Sequence, residues 1–294
     1  MRESRLMFDL FFAPFLEFEF MRRALVGALA LSLSGGMIGL FLILRRMSLT
    51  GDAMAHAILP GAAIGYLVSG LSLGAMTIGG LVAGLIVALG SGLIARSTVL
   101  REDASLAAFY LISLALGVTI VSMRGSNIDL LHVLFGSVLA LDNATLILLA
   151  GISSVTILGL AVIYRPLVME TVDPEFLASV SKANAPAQLI FLCLVVLNLI
   201  GGFHALGTLM AVGLMMLPAA SARLWAKDMS PMIALAVLFG IVASYAGLVI
   251  SYHYGLPSGP VIILCCGFIF MISLIFGRTG GVLRLLVQSR HLEA

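Results

Sequence analysis

Nine apolar runs, each long enough to cross a bilayer as a helix, leave this chain little choice of fold. They lie at about residues 24–44, 53–71, 73–95, 104–123, 143–163, 186–203, 205–225, 231–251 and 260–277. A helix needs about 20 apolar residues to cross the hydrocarbon core. Only 10% of the residues are charged, against about 25% in a soluble domain, and the mean hydropathy is +1.17. Lipid satisfies no backbone group, so the spans must be helices. The expected fold is all-α and polytopic, with residues 1–294 forming a single transmembrane domain. Residues 130–141 are too short to cross and read as re-entrant, so eight or ten crossings are the alternatives to nine. Residues 1–19 mix Phe and Leu with acids and a proline, the pattern of an interfacial segment. Glu3, Asp9, Glu17 and Glu19 spoil the pattern of a cleavable signal peptide.

The placement of Lys and Arg gives the orientation. With the first span running inward, eleven of the sixteen basic residues fall inside: Arg45, Arg46, Arg96, Arg101, Arg165, Lys182, Arg223, Lys227, Arg278, Arg284 and Arg290. Arg2, Arg5, Arg22, Arg23 and Arg124 fall outside, and the Arg22-Arg23 pair is the main contrary sign. This puts the N-terminus outside and the C-terminus in the cytoplasm. The long inner connection, residues 164–185, contains Asp173-Pro174-Glu175-Phe176-Leu177. Asp at the N-cap, Pro at the first helical position and Glu beside the positive end of the dipole predict a short helix on the inner face.

In such a chain the polar residues within or beside the spans carry the information. Asp52 and His56 stand four apart at the start of an apolar run, on one face of a helix. Ionisable groups at membrane depth are costly, and function is the default reading. Carboxylate oxygen and imidazole nitrogen both suit Mn²⁺, Zn²⁺ and Fe²⁺. A buried Asp–His hydrogen bond that locks two helices is the competing reading, and the residues alone leave the two even. His132, His204 and His253, near the outer ends of spans, are weaker candidates. Arg45 and Arg46 read first as snorkelling anchors, with neutralisation of Asp52 when no ion is bound as the alternative. Met210, Met215 and Met216 read as packing, as do Cys193, Cys265 and Cys266, which lack metal-ligand spacing. Pro60 and Pro218 should bend or interrupt their helices. The sequence has no GxxxxGK[ST], HExxH or nucleophile elbow, which excludes a P-loop ATPase and gives an intramembrane hydrolase no support.

The string Gly39-Leu-Phe41-Leu-Ile-Leu-Arg45-Arg46-Met47-Ser48-Leu49-Thr-Gly51-Asp52-Ala-Met-Ala-His56-Ala57-Ile-Leu59-Pro60-Gly61 resembles the metal-type ABC transporter permeases. These are the membrane subunits of bacterial manganese, zinc and iron importers. The resemblance continues at Leu134-Phe135-Gly136-Ser137, Asp173–Ala178, Gly207–Val212, Leu217–Arg223 and Ser258-Gly259-Pro260, in order along the chain. It implies a permease dimer (most simply a homodimer) in the bacterial inner membrane, with two cytoplasmic ATPase subunits and an extracytoplasmic metal-binding protein. It assigns Asp52 and His56 to the metal path, with Mn²⁺, Zn²⁺ or Fe²⁺ as cargo and no permanently bound cofactor. It makes 173–182 the helix that couples to the ATPase, through Asp173, Pro174, Glu175, Phe176 and Leu177. ATP hydrolysis would then belong to another subunit, and the permease itself is no enzyme. The rival readings are a proton-coupled secondary metal transporter without an ATPase, a non-transporting scaffold, and a siderophore or cobalamin permease with a wider path.

Overall fold

The computed structural model describes residues 11–70, 72–100, 102–123, 141–172 and 184–284, and among them there are helices and connections but no strand. In chain order the helices are α1 (Ala13–Glu17), α2 (Glu19–Leu44), α3 (Ser48–Ala57), α4 (Leu59–Ser69), α5 (Leu73–Ser97) and α6 (Glu102–Met123). Then come α7 (Asn143–Val172), α8 (Asn184–Leu206), α9 (Thr208–Arg223), α10 (Met229–Tyr254) and α11 (Ser258–Phe276). The re-entrant segment expected at 130–141, His132 and the inner helix expected at 173–182 lie outside the described residues, Leu141 apart.

Among the described residues, six helices are long and apolar enough to cross a membrane: α2, α5, α7, α8, α10 and α11. Two more expected spans are shorter apolar helices, Ala104–Ile120 within α6 and α9 itself. At about 1.5 Å per residue, the 16 residues of α9 reach roughly 24 Å, short of a full hydrocarbon core. The expected span at 53–71 is not one helix. It is α3 and α4, meeting at Ile58, where the backbone stays helical (φ −71°, ψ −27°) and the interruption is in the hydrogen-bond ladder. Pro60 has no N–H to offer the carbonyl four residues back, and its ring crowds the preceding turn. Pro218 and Pro166, by contrast, stand inside continuous helices.

α2 is the hub, packed against α7, α9 and α10. Its buried face, including Leu31, Ile38, Phe41 and Leu42, joins two apolar clusters that also take in Phe191, Leu199, Met215, Met210 and Ile262. Lipid tails are as apolar as leucine, so close packing rather than burial from water must hold such helices together. At Gly39 an added Cβ would fall 1.8 Å from the Met215 carbonyl oxygen, so α2 and α9 approach backbone to backbone. Gly61 of α4 and Gly79 of α5 face each other in the same way, each with a notional Cβ within 2.2 Å of the other's carbonyl oxygen. Hydrogen bonds fix the register. Asn198 of α8 donates to the Ser34 hydroxyl of α2 at 2.7 Å, and Ser153 of α7 donates to the same hydroxyl at 2.9 Å.

The ends are tied as well. Asp142 caps α7, accepting from the Thr145 N–H at 2.9 Å, and the hydrogen bonds from Thr145 hold its carboxyl below the usual range. At the chain's start, Phe15 of α1 stacks on Tyr245 of α10 with ring centroids 5.3 Å apart, and the Tyr245 hydroxyl donates to the Phe11 carbonyl at 2.8 Å.

Candidate metal site beside a broken helix

Asp52 and His56 share one face of α3, as their spacing requires, with Nε2 of His56 3.9 Å from a carboxylate oxygen of Asp52. That distance is longer than a hydrogen bond, so the two groups stand side by side without locking each other. The Asp52 side chain is 66% exposed and that of His56 23%. The buried Nδ1 of His56 has no partner among the described residues. Both groups therefore keep lone pairs or protons in hand.

The break between α3 and α4 lies two residues beyond His56 and is built deliberately. Ile58, at the junction, is 1% exposed and seated against Gly80 and Gly84 of α5. Ser113 of α6 donates to the Ala57 carbonyl at 3.0 Å, supplying a hydrogen bond where the helix is interrupted. Gly117 of α6 backs directly onto Pro60, with its notional Cβ 3.1 Å from the proline nitrogen. The Tyr110 ring lies 5.7 Å from the imidazole of His56. Tyr110, Ser113 and Gly117 are spaced i, i+3, i+7, which is one stripe of a helix. Sequence reasoning missed this stripe, although its periodicity was there to be read.

A family model for the ABC 3 transport family matches residues 17–277. The chain belongs to that family. Among its relatives, the manganese transport system membrane protein MntC of Halalkalibacterium halodurans is 32% identical over 277 residues, spanning 93% of this chain and 92% of its own length. The manganese import system permease protein ScaB of Streptococcus gordonii is 31% identical over 87% of this chain and 91% of its own. Among solved structures, PsaBC from Streptococcus pneumoniae in complex with Fab superposes with a TM-score of 0.82 at 30% identity, covering 94% of this chain and 98% of that one. As an ABC 3 permease the protein is a multi-pass subunit of the bacterial cytoplasmic membrane and not an enzyme, the ATPase being a separate subunit.

The other candidates stand apart. Among the described residues no group of three His, Cys, Asp or Glu gathers to hold a metal. His204, on α8, uses Nδ1 on the Ile200 carbonyl at 2.9 Å, and its buried Nε2 has no partner among the described residues. His253 is exposed near the end of α10, edge-on to Tyr252. Met210 and Met215 are buried in the apolar clusters, and the three cysteines are free thiols.

Arg45 departs from the snorkelling expectation. Its side chain is 7% exposed, pairs with Glu170 of α7, and lies over the Phe191 ring of α8 at 4.9 Å from the centroid. Arg46 is exposed, as an anchor would be.

Proposed function

We propose that this chain is the permease of an ATP-driven importer of a divalent transition metal ion, manganese before zinc or iron, and that Asp52 and His56 form a transient site on the ion's path. The observation that carries the site is the outward Asp52 carboxylate on an intramembrane helix. A charged carboxylate does not face lipid, so this face of α3 calls for a water-filled path or a second permease. A second copy bringing its own acid–imidazole pair would complete a site from two subunits. Oxygen and nitrogen ligands would hold Mn²⁺ with moderate affinity, as passage requires. The preference for manganese follows the names of MntC and ScaB.

The topology we favour has nine crossings, with the α3–α4 pair counted as one, the N-terminus outside and the C-terminus in the cytoplasm. A groove of about 560 Å³ supports the part of it that puts the inner ends on one side: Ile43 and Leu44 of α2, Arg223 of α9, Lys227 and Thr279 share its lining. In this reading a loaded binding protein docks outside, ATP closes the ATPases, and the helix at 173–182, through Asp173, Pro174, Glu175, Phe176 and Leu177, passes the motion to the spans. Access to the site then alternates. Asp52→Ala in the complete transporter should cut manganese uptake by at least roughly tenfold, since loss of mere outer-shell partners of a metal already costs about 10–100-fold. Uptake at the wild-type rate with equal protein in the membrane would refute the site. Deleting the ATPase separates this reading from a proton-coupled carrier, which would keep transporting.

A further inference from the structure

We propose that Arg45 and Glu170 are positioning residues that tie the direction of α3, and with it Asp52 and His56, to the C-terminal end of α7. The proposal rests on the transport reading above and adds a coupling element to it.

Both side chains are withdrawn from water, Arg45 at 7% exposure and Glu170 at 14%. A buried ion pair is seldom kept for stability, because apolar residues of similar volume often serve as well or better; its best-attested use is to fix a register or set a switch. Here the pair sits at a mechanical junction. Arg45 is the C-cap of α2, and only residues 45–47 separate α2 from α3. The turn is closed by two backbone bonds, Arg46 N–H to the Ile43 carbonyl at 3.1 Å and Met47 N–H to the Leu42 carbonyl at 2.8 Å. This is a Schellman closure, and its left-handed position, usually glycine, is held by Arg46 at φ 61°. Such a turn transmits orientation because both of its bonds return to the last turn of α2. Asp52 follows in the second turn of α3.

The other half of the clamp belongs to different helices. Glu170 lies two residues before the end of α7, and Phe191, under the guanidinium, lies in the second turn of α8. These are the ends where the chain leaves α7 and re-enters α8. Apolar side chains in contact can slide past one another. A charge pair that also rests on an aromatic face holds one relative position. A shift of the α7 and α8 ends is thereby delivered to the root of α3.

The test uses the whole transporter, permease with its ATPase and binding protein, in proteoliposomes supplied with Mn²⁺. Metal moved per ATP hydrolysed is measured for Arg45→Gln, Glu170→Gln, the reversed pair Arg45→Glu/Glu170→Arg, and the apolar pair Arg45→Met/Glu170→Leu. We expect the single variants to lose roughly tenfold in metal per ATP while ATPase activity persists. The reversed pair should recover much of the loss. The apolar pair should insert and assemble normally yet stay uncoupled, which a purely structural role would not produce. If the single variants fail to assemble, the apolar pair decides. Wild-type coupling in the apolar pair overturns the proposal while leaving the transport reading intact. A wild-type complex that hydrolyses ATP and moves no metal overturns both.

Discussion

At the scale of single residues, what distinguishes Asp52 and His56 is that they do not satisfy each other. At 3.9 Å they are neighbours without a hydrogen bond, and Nδ1 of His56 is buried without a partner among the described residues. A structural pair would have closed that gap to hydrogen-bond distance. Asp52→Asn keeps an oxygen ligand and loses the charge, so it should retain a measurable fraction of the uptake that Asp52→Ala loses; radioactive Mn²⁺ accumulation at matched expression measures the difference. Equal loss in both variants would assign the effect to charge alone. Ser113→Ala removes the hydroxyl from the Ala57 carbonyl. It should destabilise the fold by about 0.5–1.5 kcal/mol, the usual size of an intramembrane hydrogen bond, as read from unfolding of the purified protein in detergent.

At the scale of elements, the break at Ile58 and the close packing of α4 on α5 belong together. Gly61 and Gly79 let the two backbones meet, while Ile58 fills the space left by Gly80 and Gly84. Gly61→Ala places a methyl about 2.0 Å from the Gly79 carbonyl oxygen, so the helices must part. Overpacking of this kind costs about 1–3 kcal/mol, and the expected outcome is a lower melting temperature together with slower transport. Pro60→Ala should act in the opposite sense on stability. It returns an N–H to the turn that carries His56, restores the missing hydrogen bond at the α3–α4 junction, raises the melting temperature and lowers transport. A variant that melts higher and transports normally would show that the break has no part in the ion's passage. Much at this scale was legible beforehand. The apolar runs located every described long helix, and Pro60 marked the break. Arg45 was not legible, because hydropathy sees an arginine at a span end as an anchor and cannot see that Glu170, 125 residues on, comes to meet it. The stripe of Tyr110, Ser113 and Gly117 was missed for another reason: its spacing is visible, but nothing within α6 says which helix its small residues will touch.

At the scale of the whole molecule, the exposed face of α3 and α4 is the surface left to explain. Leu49 and Asp52 of α3 and Ile64 and Val68 of α4 are all exposed, Val68 to 79%. If a second copy covers it, as proposed, Leu49→Cys in a background of Cys193→Ser, Cys265→Ser and Cys266→Ser should form a disulfide-linked dimer under mild oxidation in membranes. Monomer alone, at several positions along this face, would point to a lipid- or water-facing surface. The spacing of Asp52 and His56 and the cost of ionisable groups in a membrane marked the pair as a candidate, and the resemblance implied a dimer; that the Asp52 side chain faces outward was not legible, because exposure exists only once the chain has folded.

The bond from Tyr245 to the Phe11 carbonyl also bears on how the protein is made. The two residues are 234 positions apart, and the stacking of Phe15 on Tyr245 closes the same loop. During synthesis Phe11 and Phe15 emerge long before α10 exists, so they must wait while most of the bundle is threaded into the membrane. Their docking surface is completed late. The earliest of the described residues to leave the ribosome are thus among the last to be seated, and α1 serves as a latch that closes only on a nearly finished bundle.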